Sequence, residues 1–183
     1  ATVDSNGNVQ GKRAGFSTLT VTGGGAAATA TITVVQINSA ASTVEATGVT
    51  QDLSRRLYLA AGANHTILRT EDLSLAPSIY AGKDQTPGLV NDLRLQSLFQ
   101  SPAFLVFNQA DGSLYVSDSA NNVIRRVLPG SGGTVETFAG GFNNPQGIAL
   151  DGVGHLWVVD AGNHTIRRIN LRTKARVIGN YGV

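Results

Sequence analysis

Polar and apolar residues alternate with period two through the amino-terminal stretch "ATVDSNGNVQGKRAGFSTLTVTGGGAAATATITVV". Ser17, Leu19 and Val21 alternate with Thr18, Thr20 and Thr22, and beyond the glycine run Ala30, Ile32 and Val34 alternate with Thr29, Thr31 and Thr33. Successive side chains of a strand point to opposite faces. Alternation on both sides of a glycine run therefore predicts a β-hairpin with one buried face and one Thr-rich face in water. "DSNGN", from Asp4 to Asn8, predicts a tighter turn because Asn-Gly readily takes positive φ. Its spacing has a faint likeness to a calcium loop, but the distant bidentate glutamate of such loops is missing, so it is read as a turn.

Residues 36–50 read as a connector running into a further strand. After them one pattern is written three times, as "LYLAAGANHTILRT", "LYVSDSANNVIRRV" and "LWVVDAGNHTIRRI", beginning at Leu57, Leu114 and Leu156. The copies start 57 and 42 residues apart, and periods of about 40 residues are those of propeller blades. Copy two shows the full unit. Pro102 opens an apolar strand, Asp111-Gly112 makes a turn, and "LYVSD", "VIRRV" and "VETFA" follow as further strands separated by "SANN" and a glycine-rich turn. Copy three repeats this order. Copy one is looser: "SRR" replaces the Asp-Gly turn, and a long insertion, "GKDQTPGLVNDLRLQSLFQSP", follows its last strand.

The expected architecture is all-β. Residues 1–37, which on the resemblance given below are the carboxy-terminal part of a β-sandwich, would form one unit, and 38–183 would hold three four-stranded blades, at about 44–101, 102–144 and 145–183. Radial closure needs about four or more blades, because each sheet covers its faces with its neighbours. Three blades leave two apolar faces in water. The propeller is therefore expected to be incomplete unless more chain, or a second copy in a six-bladed ring, completes it. On that same resemblance the sandwich looks cut, which favours a fragment of something longer, as does the absence of any Met, even at position 1.

The repeated polar residues are the candidate sites. Asn64, Asn121 and Asn163, with His65, Asn122 and His164 beside them, recur at the corner between the second and third strands. A catalytic site is normally unique whereas a scaffold residue recurs, and Asn both tolerates left-handed φ and bonds its own backbone. They are read as blade turns. "N-H-T" at Asn64 and Asn163 also fits the glycosylation acceptor pattern, which matters only on a eukaryotic secretory route. Arg125 with Arg126, and Arg167 with Arg168, sit on strands, with Arg69 as a lone counterpart. Adjacent residues face opposite ways, so one of each pair is expected between blades against Asp118 or Asp160, the other in solvent. Asp118, Asp160, Arg126 and Arg168 are assigned to the scaffold. Tyr58, Tyr115 and Trp157 share one blade position, as expected for packing between sheets.

Composition narrows the functional classes. The chain of 183 residues is 42% hydrophobic and 14% charged, which makes it globular. It has no Cys, which excludes disulfides, thiolate metal sites and cysteine nucleophiles. A net charge of +2 is too small for a dedicated nucleic-acid surface. No apolar run reaches the ~18 residues of a membrane span, and no signal peptide is visible. His65, His155 and His164 lack close ligand spacing, and no nucleophile elbow or acid pair stands out. No cofactor or metal is expected.

Two resemblances sharpen this. The amino-terminal run, with its valine–aspartate strand, "NG" turn, "G-x-x-x-G" and two alternating strands, resembles the carboxy-terminal half of a bacterial immunoglobulin-like domain of group 2. The segments "DG-x-LYVSD-x-x-NN-x-IRR-V…FAG" and "P-Q-G-I-A-L-D…LWVVD-x-GNH-x-IRR-I" resemble NHL repeats, over roughly residues 44–183. That resemblance implies four-stranded propeller blades, usually six, and its aspartate is matched by Asp118 and Asp160 but replaced by Ala61 in copy one. Together they imply an extracellular, cell-surface or periplasmic module that is non-catalytic, binds protein or glycan, and self-associates or joins a multi-subunit complex through open blade faces. The alternative is a lyase-like propeller enzyme with a metal in the central channel.

Overall fold

The computed structural model describes residues 2–3, 9–10, 15–23, 26–34, 45–71 and 75–179. The Asp4–Asn8 turn and residues 35–44 of the connector lie outside the described residues. The chain forms two compact units, Ala1–Ser42 with Asp72–Ala76, and Thr43–Glu71 with Pro77–Val183.

In the first unit β1 (Thr2–Val3) pairs antiparallel with β2 (Val9–Gln10), and β3 (Gly15–Gly23) with β4 (Ala26–Val34). The second hairpin pairs Leu19 with Ala30 and Thr20 with Thr29.

The second unit consists of three four-stranded antiparallel sheets, each in simple sequence order. The first holds β5 (Gly48–Gln51), β6 (Leu57–Ala61), β7 (Thr66–Thr70) and β8 (Ser78–Ala81). The second holds β9 (Pro102–Phe107), β10 (Leu114–Asp118), β11 (Val123–Val127) and β12 (Val135–Ala139). The third holds β13 (Pro145–Leu150), β14 (His155–Asp160), β15 (Thr165–Asn170) and β16 (Arg176–Gly179). The opening strands β5, β9 and β13 lie side by side and the sheets fan out from them, which is a propeller with part of its ring. The approach is close: a Cβ on Gly48 would lie 2.8 Å from the Ala103 carbonyl oxygen.

Two apolar layers hold the fan together. Tyr58, Ala60, Ile67 and Ala81 of the first blade meet Leu105, Leu114, Val116, Val127 and Val135 of the second, with Phe99 from the insertion sealing the layer. Tyr115, Ile124, Phe138 and Ala139 of the second blade meet Leu156, Val158 and Ile169 of the third. The middle blade therefore buries both faces. All five residues of β10 are buried, including Ser117 and Asp118, whereas β14 alternates between buried and partly exposed positions.

Candidate functional site: blade corners, inner cleft and open faces

Each second strand runs into a single 3-10 turn, Gly62–Asn64, Ser119–Asn121 or Ala161–Asn163. The residue after each turn is left-handed: His65 at φ 60°, Asn122 at 59° and His164 at 53°. The recurrent asparagines precede this position and act through their side chains. Asn121 Nδ2 donates to Asp118 Oδ2 at 2.8 Å, and Asn163 Nδ2 to Asp160 Oδ2 at 2.8 Å. In the first blade, where Ala61 replaces the aspartate, Asn64 Nδ2 donates instead to Asp84 Oδ1 in the insertion at 2.7 Å. The side-chain amides of both sequon asparagines are thus engaged by carboxylates.

The aspartates tie neighbouring blades. Asp118 Oδ1 accepts the Gln100 amide at 2.7 Å, and Asp160 Oδ1 accepts the Asn143 amide at 2.7 Å, each from the loop leading into its own blade. The arginines facing them are Arg125 and Arg167, at 3.0 and 2.6 Å from Asp118 Oδ2 and Asp160 Oδ2. Arg125 is fully buried and spans the insertion, donating to the Leu98 and Val90 carbonyls and to Asn91 Oδ1. Burial pushes the Asp118 carboxyl up against the bonds from Asn121, Gln100 and Arg125, and burial likewise pulls Arg125 down. In the first blade the same two positions are Ala61 and Leu68, both buried, so both members of the ion pair are exchanged together for apolar residues. Arg126 turns the other way, over the Tyr115 ring, donating to Ser113 Oγ and Asp111; Arg168 lies over Trp157.

A second tie also repeats. His65 Nδ1 accepts the Ser101 amide at 3.1 Å, and Asn122 Oδ1 accepts the Asn144 amide at 2.8 Å. Ser101 and Asn144 precede the prolines that start the next blade, with φ of 50° and 49°. His164 holds the equivalent corner on the third blade, and its ring takes no hydrogen bond from the described residues.

Two concavities flank the opening strands. At the corner end a shallow groove of about 330 Å³ is lined by Thr47, Ser101, Ala103, Asn144 and Gln146, which supply hydroxyl and amide groups. At the opposite end a cleft of about 650 Å³ lies between Val49, Leu105, Phe107, Ile148, Leu150 and His155. There His155 Nδ1 lies 2.8 Å from Asp151 Oδ2. Against desolvation, which would raise it, the amides of Val153 and His155 with the His155 and Trp157 side chains together hold Asp151 at about 2. Among the described residues no three His, Asp or Glu side chains gather, and His65 and His164 belong to separate corners.

The outer blades present apolar rows to solvent. Val49, Leu59, Leu68 and Ile79 are directly opposite one another across the first sheet; Val49 and Ile79 are 61% and 41% exposed, Leu59 is partly exposed and Leu68 is buried. On the third blade Val159, 42% exposed, faces Ile166 across the ladder, with Trp157 and Ala149 on the same side. These positions match those that make the buried layers: Trp157 follows Tyr58 and Tyr115, and Leu59 precedes Val116 and Val158. No helix among the described residues is long and apolar enough to cross a membrane.

The NHL repeat model matches residues 142–169, which run from the loop before the third blade to its third strand. No curated protein matches the chain. Among solved structures the chain is similar to a streptogramin B lyase, with 20% identity and a TM-score of 0.56 over 85% of this chain and 45% of that one. It is also similar to a gluconolactonase from Xanthomonas campestris, with 21% identity and a TM-score of 0.57 over 74% of this chain and 48% of that one. An auxiliary nutrient binding protein from Bacteroides ovatus has 20% identity and a TM-score of 0.54 over 68% of this chain and 35% of that one. The chain spans less than half the length of these structures. At this identity the likeness establishes the fold, an all-β propeller type of which three blades are present.

Proposed function

We propose that the chain is a non-catalytic propeller scaffold that binds protein or glycan outside the cytoplasm and works within a larger assembly. The two open apolar faces carry this reading. Each uses the residue positions that elsewhere in the chain are buried between blades, so each is shaped to receive a blade. Three blades over less than half the length of the streptogramin B lyase structure suit completion by a second copy, the Trp157 face of one against the Val49–Ile79 face of the other. Head-to-tail pairing of this kind closes a ring when the rotation fits. His164 would then accept an amide from the partner's first blade, as His65 and Asn122 do within the chain. The immunoglobulin-like reading of residues 1–37 and the likeness to nutrient-binding proteins support a place at the cell surface or in the periplasm. Sedimentation velocity at micromolar concentration tests the assembly: the scaffold reading expects a species of twice the chain mass, and a single-copy boundary at every concentration contradicts it.

A second reading, a propeller enzyme, rests on the His155–Asp151 pair at the mouth of the inner cleft and on the lyase and lactonase neighbours. An imidazole held by a carboxylate can serve as a general base. Hydrolysis of lactone substrates that disappears in His155→Gln would favour it over the scaffold.

A further inference from the structure

Outside the cleft and the corners, a third concavity lies between the first and second blades, at the end away from the corners. Its volume is about 340 Å³, at the low end of small-molecule sites. Three guanidiniums, those of Arg56, Arg69 and Arg94, converge on it with Tyr58, Tyr80 and Phe107. They come from three separate parts of the chain. Arg56 precedes β6, Arg69 lies on β7, and Arg94 belongs to the insertion that follows the first blade.

The charges do not cancel. Arg56 Nε lies 2.6 Å from Asp52 Oδ2, and Arg69 Nη2 lies 2.8 Å from Glu71 Oε1. Arg94 makes no ion pair among the described residues. Its Nη1 donates to the Tyr80 hydroxyl at 2.8 Å, and its guanidinium carbon sits 4.4 Å from the centre of the Tyr80 ring. Arg69 lies 5.3 Å from the same ring, so both cations draw on one aromatic side chain. Three guanidiniums against two engaged carboxylates leave one positive charge in a partly enclosed site.

The aromatic floor is fixed. Tyr58 stacks on Phe107 at 5.7 Å and meets Tyr80 edge-on at 5.0 Å, while its hydroxyl donates to Asp52. Burial, with Tyr80 nearby, pushes the Tyr58 hydroxyl up to about 12, so it stays a donor at neutral pH. The far wall is the exposed turn Pro129–Ser131 with Gly112, which offers an apolar ring and backbone groups.

We infer that this pocket binds a small monocarboxylate about the size of one sugar ring, such as a uronate, with its carboxylate on Arg94. The guanidinium fork matches a planar carboxylate through paired hydrogen bonds. The single residual charge suits a monoanion; a phosphate dianion would leave the site negative. Ring surfaces beside polar backbone suit a compact body with both apolar and hydroxyl-bearing edges.

The test is titration of the 183-residue protein with glucuronate, glucose and inorganic phosphate, followed by NMR shifts or calorimetry. Glucuronate should bind at least ~10-fold tighter than glucose, and its affinity should fall with added salt. Arg94→Leu should weaken glucuronate ~10-fold or more, and Arg94→Lys should recover only part of this, because the charge remains and the fork is lost. Arg69→Gln provides a second lesion with little demand on the fold, and Arg172→Gln, exposed on the third blade, should bind as the unaltered protein does. Equal affinity for glucose and glucuronate would overturn the site. So would full affinity in both folded Arg94→Leu and Arg69→Gln. Phosphate binding tighter than glucuronate would overturn the monocarboxylate assignment.

Discussion

The middle blade and the outer blades carry nearly the same sequence and bury it differently. "LYVSD" in β10 is buried at every position, while "LWVVD" in β14 leaves Val159 42% exposed and "LYLAA" in β6 keeps two positions partly open. Nothing local to these strands explains the difference. It follows from the number of neighbouring sheets, since a blade is covered only by what stacks against it. The pattern of one strand therefore says how it is built, and its place in the stack says how much stability it contributes.

The comparison breaks most sharply at the corners. Asp118→Ala would strand a fully buried arginine, and a loss of about 3–5 kcal/mol is expected by urea denaturation. The first blade already shows an apolar solution in Ala61 and Leu68. Asp118→Ala with Arg125→Leu should consequently be less damaging than Asp118→Ala alone; a larger loss in the double variant would refute the exchange.

Next come the aromatics. Tyr115→Ala removes a ring that is 1% exposed between two blades and should cost about 3–5 kcal/mol. Trp157→Ala, on the open face, should cost clearly less in single-copy stability while weakening association between copies. Equal losses in stability would mean that the two faces are covered alike. Gly48→Ala, whose Cβ would press on the Ala103 carbonyl, should cost about 1–3 kcal/mol through separation of the first two blades.

The smallest effect concerns pH. Burial alone would raise Asp52, yet the Arg56 side chain and the Arg56 and Ser54 amides outweigh it and hold the carboxyl below 3.8. A group depressed in the folded state adds stability above its unfolded pKa, near ~3.9, and loses it as pH falls through the folded value. Asp52→Asn should thus be more destabilising at neutral pH than in strong acid. The same loss at both would show that the ion pair contributes nothing there.

Much of this could be read from the chain. The four-strand grammar follows from proline starts, Asp-Gly turns and apolar runs, and the three sheets keep it. Which arginine of each pair turns inward was also written in the sequence, though only by comparison: copy one has "LR" where the others have "RR", and its Leu68 appears together with Ala61. An apolar residue at the first position marks that position as buried. The left-handed residue, in contrast, stands one place after the recurrent asparagine, because a 3-10 turn inserts before it. The Arg94 pocket left no pattern at all. It depends on where the insertion lands, which is set by Arg125 gripping Val90 and Leu98 from another blade.

The head-to-tail claim has one direct test. Val49→Asp spoils one open face and Val159→Asp spoils the other, and each variant alone puts a charge into every junction of a two-copy ring. Analytical ultracentrifugation should find each variant as single copies, and an equimolar mixture should restore a two-copy species through the one junction left unaltered. Two-copy species in either variant alone, or a mixture that stays as single copies, would contradict the account.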